Sequence, residues 1–184
     1  MNSKAQSPFK VNLHELPRRA GEMREYAFSF PATEPIGVPL LQITAGTNIS
    51  LAFKAESVDD GVLITGQVKS HATGECGRCL DPIDLEIDQR FQELYLYASR
   101  KSDNPEEDDE LFVLDGDDAD LEIAIRDAVI LSMPVNPVCA QDCEGLCPQC
   151  GEKWVELPED HAHEVADPRW SGLAGWNPGS GPQK

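Results

Sequence analysis

The sequence predicts an α+β fold: a mainly antiparallel β-sheet, one main helix, and a C-terminal zinc-binding, cysteine-rich segment. Three observations predict it. Apolar and polar residues alternate in several stretches between residues 9 and 97, the period of strands with one buried face. Leu121, Ile125, Ala128, Val129 and Met133 instead recur at helical spacing. Four cysteines then fall within residues 139–150. Whether the sheet closes in a barrel-like way is not fixed by these patterns.

In chain order, residues 1–8 read as a flexible end. Phe9, Val11 and Leu13 alternate with polar neighbours, a short strand that the run Pro17 to Gly21 breaks. Met23 to Phe30 forms a second strand with Tyr26, Phe28 and Phe30 on one face. Pro31 to Pro39 reads as loop, and Pro39 to Ile43 as a short edge strand. Leu51, Phe53 and Ala55, the turn Asp59-Asp60-Gly61, and Val62, Ile64, Gly66 and Val68 make the clearest hairpin. Cys76-Gly77-Arg78-Cys79 follows at a strand end. Ile83 to Ile87 starts another strand, running through Phe91 toward Leu94 and Tyr97, with a phase shift near Gln89 and Arg90 that suggests a bulge. The aromatic residues read as core.

The acidic, proline-containing stretch 102–110 reads as a solvated loop, lacking the glycine and spacing of a calcium loop. Leu111 to Leu114 is a candidate small strand. Asp117-Asp118-Ala119-Asp120 is expected to cap the helix, with Ile123, Ile130 and Leu131 widening its apolar stripe and Pro134 stopping it. Pro134 to Pro137 is an extended connector. Pro158 to Glu164 reads as loop, Asp167-Pro168-Arg169-Trp170 as a last helical turn, with Trp170, Leu173 and Trp176 as anchors, and Gly175 to Lys184 as a frayed end. The expected organisation is therefore an α+β domain over residues 9–134, a cysteine-rich module with its tail over 135–176, and a disordered end over 177–184.

The six cysteines are Cys76, Cys79, Cys139, Cys143, Cys147 and Cys150. Cys147-Pro148-Gln149-Cys150-Gly151 reads as a metal knuckle. Two thiolates two residues apart reach one ion, and Gly151 supplies the positive φ that turns backbone N–H groups toward sulfur. Two four-thiolate sites are open. Cys139, Cys143, Cys147 and Cys150 would form a local site, which the shorter loop closure favours. Cys76 and Cys79 are the alternative ligands, joining Cys147 and Cys150 and stapling two distant segments. Thiolate-only ligation favours zinc, with an iron–sulfur cluster as runner-up. The zinc is expected to be structural, because catalytic sites keep an open position and mix ligand types. His161 and His163 could supply mixed ligands, but a His-Ala-His in a polar tail reads as solvated. A redox reading of Cys76 and Cys79 lacks the βαβ setting of thioredoxin-like motifs.

Disulfide scaffolds belong to short secreted chains, whereas 184 residues can build a core. The start Met1-Asn2-Ser3-Lys4-Ala5-Gln6 precedes no apolar run, and no stretch approaches the length of a membrane span, so a reducing cytoplasm is expected. Formal charge is −18, from 33 acidic and 15 basic residues. That disfavours unaided non-specific nucleic-acid binding and suits a basic partner. The charge is uneven: residues 1–24 carry Lys4, Lys10, Arg18, Arg19 and Arg24 against Glu15 and Glu22, and Ser102 to Ile125 holds no Lys or Arg. No phosphate-binding glycine loop, no G-x-S-x-G and no internal repeat is present.

Four ordered pieces then carry a resemblance: Thr73 to Leu80, Arg126 to Pro134, Cys139 to Gly151, and Asp167 to Trp170. Together they resemble the YceD family, small bacterial and plastid proteins associated with accumulation of large-subunit ribosomal RNA, and most of all its actinobacterial branch. The resemblance implies a role in ribosome biogenesis and no enzymatic activity, hence no catalytic residues. The leading expectation is a non-enzymatic factor with structural zinc that holds a basic ribosomal protein or a pre-ribosomal particle by charge complementarity. A direct ribosomal-RNA binder using Arg78, Lys153, Arg169 or the N-terminal arm is the second, and a thiol-redox or zinc-dependent enzyme the third. No membrane and no small-molecule substrate are expected.

Overall fold

Alternation of more and less buried residues builds the main sheet. A computed structural model of the chain describes residues 7–100, 111–163 and 168–173. Most of the N-terminal end, the acidic loop 102–110, Asp167, and the end of the chain from residue 174, Trp176 included, lie outside the described residues. Two compact units divide the chain, Met1–Cys143 and Glu144–Lys184. Residues 135–143, grouped by sequence with the cysteine-rich module, belong to the first.

In that first unit β1 (Lys10–Asn12), β2 (Met23–Pro31), β3 (Ile36–Val38), β4 (Leu41–Ile43), β5 (Asn48–Ser57), β6 (Gly61–Glu75), β7 (Pro82–Leu96), β8 (Phe112–Val113) and β9 (Asp118–Asp120) precede helix α1 (Glu122–Ser132). Seven strands make one sheet. β6 is its spine: the first part of one edge pairs with β5, the last part with β4, and the other edge with β7 throughout. β2 and β3 extend the β5 and β4 sides, and β8 adds a short parallel strand to β7. The sheet is open, not a closed barrel, because its outermost strands β2, β3 and β8 do not pair with one another. β1 and β9 form a separate two-stranded sheet.

One face of the large sheet is packed and the other meets solvent, the pattern of a half-buried antiparallel sheet. Ile49, Leu51, Phe53 and Ala55 of β5 face Val62, Ile64 and Val68 of β6 and Ile87, Phe91 and Tyr95 of β7 within one buried cluster. Tyr26 stacks on Phe53, and Phe9 meets Phe30 edge-on. α1 covers β7 and β3 with Ala124, Ile125 and Val129, flanked by buried Leu121 and Met133.

Several local expectations change. Residues 31–39 contain a strand, β3, and β4 lies between β3 and β6 instead of at an edge. β6 and β7 pair without a bulge from Gly61↔Leu96 to Glu75↔Pro82. The apparent phase shift arises because half-buried Gln89 takes a position on the packed face while Leu94, 41% exposed, points outward. Asp118 to Asp120 is a strand, so Asp120 caps the helix only through its Oδ1, which accepts the Glu122 N–H at 3.0 Å. Ile123 and Leu131 are 60% and 85% exposed and do not widen the buried stripe.

The basic N-terminal arm folds against the acidic turn ahead of α1. Lys10 Nζ pairs with Asp115 and Asp118, Arg18 with Asp117, and Arg24 with Glu15. No helix among the described residues is long and apolar enough to cross a membrane.

Candidate metal centres

The fifteen-residue strands β6 and β7 carry Cys76 and Cys79 to the tip of the longest hairpin. The loop is closed by its own backbone: Cys76 N–H donates to Asp81 O at 2.7 Å, and Leu80 N–H to Cys76 O at 3.0 Å. Closing it this way puts Leu80 at φ +62°, the one non-glycine positive φ among the described residues. The Arg78 N–H then points at Cys76 Sγ at 3.4 Å.

A second segment is strapped onto this tip. Pro134 ends α1, and the extended connector brings Pro137 O to the Gly77 N–H at 2.8 Å and the Cys139 N–H to Cys76 Sγ at 3.4 Å. A Cβ on Gly77 would lie 2.0 Å from Asn136 Oδ1, so glycine lets the strap approach. Arg78 Nη1 donates to Cys143 O at 2.8 Å and fixes the far end of the strap.

The sulfurs of Cys76, Cys79, Cys139 and Cys143 all lie within 4.8 Å of one another. Cys76 Sγ is 3.8 Å from Cys143 Sγ, and Cys79 Sγ is 3.5 Å from Cys139 Sγ. A tetrahedral ion with metal–sulfur bonds of about 2.3 Å places its sulfurs about 3.8 Å apart. A disulfide needs about 2.05 Å, and all six cysteines are free thiols. The group therefore fits one ion. An iron–sulfur cluster interposes several iron and sulfide atoms and needs its thiolates farther apart.

Burial opposes charge on Cys76, but N–H donors from Cys79, Cys139 and Arg78 outweigh it and lower its pKa to about 6. Cys79 moves the other way: the Asp81 N–H favours its thiolate, but burial and the neighbouring thiols prevail and raise it. Four crowded sulfurs cannot all ionise without a cation among them. A four-sulfur set leaves no open position for water, so an ion there would be structural.

The second unit repeats the loop. Cys147 N–H donates to Glu152 O at 2.7 Å and Gly151 N–H to Cys147 O at 2.8 Å, with Gly151 at φ +77°. Here the loop gathers with histidines: ligand atoms of Cys147, Cys150, His161 and His163 lie within 4.8 Å of one another. Cys150 Sγ is 3.6 Å from His161 Nε2. The Cys150 N–H is the largest influence holding the Cys147 thiol down at about 6; burial opposes it, and Gln149 N–H and His161 assist.

The local set expected from sequence, Cys139, Cys143, Cys147 and Cys150, is thus not the set gathered into one group. Cys139 and Cys143 join Cys76 and Cys79, while Cys147 and Cys150 join His161 and His163. Loop-closure length favoured the local set, but the fold closes the longer loop: β7 leads away from Cys79, and α1 and its connector bring the chain back to Cys139 beside it. His161 and His163, expected to be solvated, stand beside the second knuckle. The Cys-x-x-Cys spacing at both loops marked each as a pair in need of a partner pair; nothing in it said which.

A family model described as large ribosomal RNA subunit accumulation protein YceD matches residues 64–175. An uncharacterized protein of Mycobacterium tuberculosis is 41% identical over 167 residues, covering 91% of this chain and 80% of that one. An uncharacterized protein of Mycobacterium leprae is 36% identical over 168 residues, covering 91% and 76%. The uncharacterized protein YlbN of Bacillus subtilis is 24% identical over 99 residues, covering 53% and 56%. No solved structure matches. The matched span runs from β6 through both cysteine loops, and on that match this chain belongs to the YceD family.

Proposed function

We propose that the protein is a non-enzymatic zinc-binding factor in ribosome biogenesis, supporting large-subunit ribosomal RNA accumulation by holding a basic ribosomal protein or an assembly intermediate. The family description supplies the process. The observation that carries the non-catalytic reading is the closure of the Cys76, Cys79, Cys139 and Cys143 group, which offers a bound zinc four sulfurs and no position for a substrate. Six free thiols suit a reducing cytoplasm.

Charge supports a basic protein partner over naked RNA. The net charge is −18, and cations that the sequence offered to RNA are engaged within the chain: Lys10, Arg18 and Arg24 in ion pairs, Arg78 in the strap. Such exposed pairs are individually weak, but those of Lys10 and Arg18 together keep the arm on the acidic turn.

Affinity capture from cells at low and moderate salt, with protein and RNA both identified, tests the reading. It expects ribosomal proteins or pre-ribosomal particles in the low-salt capture, depleted at moderate salt. Salt-insensitive recovery of ribosomal RNA without ribosomal proteins would instead make it a direct RNA binder, and absence of ribosomal components from both captures would refute the assembly role.

A further inference from the structure

We infer that the C-terminal unit binds a divalent ion of its own, of the zinc class, through Cys147, Cys150, His161 and His163, so that the chain carries two metal centres of different composition. The geometry is that of a mixed tetrahedral site. With metal–sulfur bonds of about 2.3 Å and metal–nitrogen bonds of about 2.0–2.1 Å, a tetrahedral ion sets sulfur and nitrogen about 3.5 Å apart. Cys150 Sγ and His161 Nε2 stand 3.6 Å apart, and all four ligand atoms lie within 4.8 Å.

The histidines are placed there by the chain around them. The knuckle returns the chain so that Lys153 bridges Leu146 antiparallel, the 3₁₀ turn Trp154–Glu156 follows, and the His161 N–H closes a further turn on Pro158 O at 2.9 Å. The Trp154 ring meets the His161 ring edge-on at 5.5 Å, and the His163 ring meets His161 edge-on at 4.5 Å. These contacts aim one ring nitrogen from each histidine at the thiols.

A second, independent observation is what this unit lacks. Among the residues from Glu144 onward whose burial is described, Cys147 is the one buried hydrophobic side chain, and none of them joins the hydrophobic cluster of the protein. Backbone ordering costs about 1–2 kcal/mol per residue, and among the residues whose burial is described only half-buried Leu146 and Leu157 and buried Cys147 set apolar surface against it. Small units without a core are held by a disulfide or a metal, and these thiols are free. Ion binding and folding of this unit are therefore one event. Neutral imidazoles with two thiolates select a borderline-soft divalent ion over magnesium or calcium.

The test is a cobalt(II) titration of the full-length, metal-free chain, followed by the d–d and thiolate-to-metal absorption bands. The wild type is expected to take up two equivalents, one with a tetrathiolate spectrum and one with a mixed sulfur–nitrogen spectrum. His161→Ala with His163→Ala is expected to lose the mixed-ligand spectrum and weaken the second equivalent at least tenfold, leaving the tetrathiolate spectrum unchanged. Both side chains lie outside the hydrophobic cluster, and circular dichroism of the sheet checks that the variant is folded. Saturation at one equivalent, or a double-histidine variant whose second equivalent binds with unaltered strength and spectrum, would overturn the inference. Either result leaves the tetrathiolate group and the ribosomal role standing on their own tests.

Discussion

The loops Cys76–Leu80 and Cys147–Gly151 close through the same two backbone bonds, yet they sit in opposite surroundings. The first caps a fifteen-residue hairpin, is strapped by the segment after α1, and keeps Cys76 at 0% and Cys79 at 6% exposure. The second belongs to a unit with no hydrophobic core among its described residues, and Cys150 and His163 are exposed. The lesson is that a knuckle is a backbone device, and its neighbours decide what it does. On the hairpin an ion would lock a strap to an already folded sheet; in the C-terminal unit an ion would supply the fold itself.

That contrast can be broken at several points. The largest effect is expected from Cys76→Ser, which removes a ligand buried between hairpin and strap. It should release the first ion and lower the Tm of the sheet by on the order of 10 °C, measured by metal content and calorimetry. Cys150→Ser should release the second ion and make the chain after Glu144 readily cleaved in limited proteolysis, while the Tm of the sheet shifts by less than about 2 °C. Equal Tm losses from the two variants would erase the distinction between the units.

Smaller changes sharpen it. Gly77→Ala should cost about 2–3 kcal/mol in denaturant unfolding, because its Cβ would meet Asn136 Oδ1 at 2.0 Å. Gly151→Ala, with nothing within 4 Å, should cost about 1–2 kcal/mol of left-handed backbone strain alone, seen as weaker metal retention in the second unit. Leu80→Gly makes the first loop resemble the second. Leu80 holds φ +62° with its side chain 57% exposed, so relief of strain should exceed lost packing and stabilise by about 0.5–1 kcal/mol.

The strands and the helix were legible because their periodicity is local. Alternation gave β2, β5, β6 and β7, and helical spacing gave α1. The partner of each cysteine pair was not legible, since it depends on tertiary structure: β7 leads the chain away from Cys79, and the packing of α1 brings it back at Cys139. Single residues also break the local pattern. Gln89 on the packed face imitated a bulge, and exposed Ile123 and Leu131 imitated a wider apolar stripe. The acidic turn hid a strand, because Asp118 to Asp120 gain their place from Lys10 and Asn12 of β1, far away in the sequence.

The most direct measurement is the zinc content per chain of protein purified without chelator or oxidant, in the wild type and in Cys76→Ser and Cys147→Ser. Two separate centres require two ions in the wild type and one in each variant. A wild type with a single ion, abolished by either substitution, would mean that the two knuckles share one centre and would contradict the account.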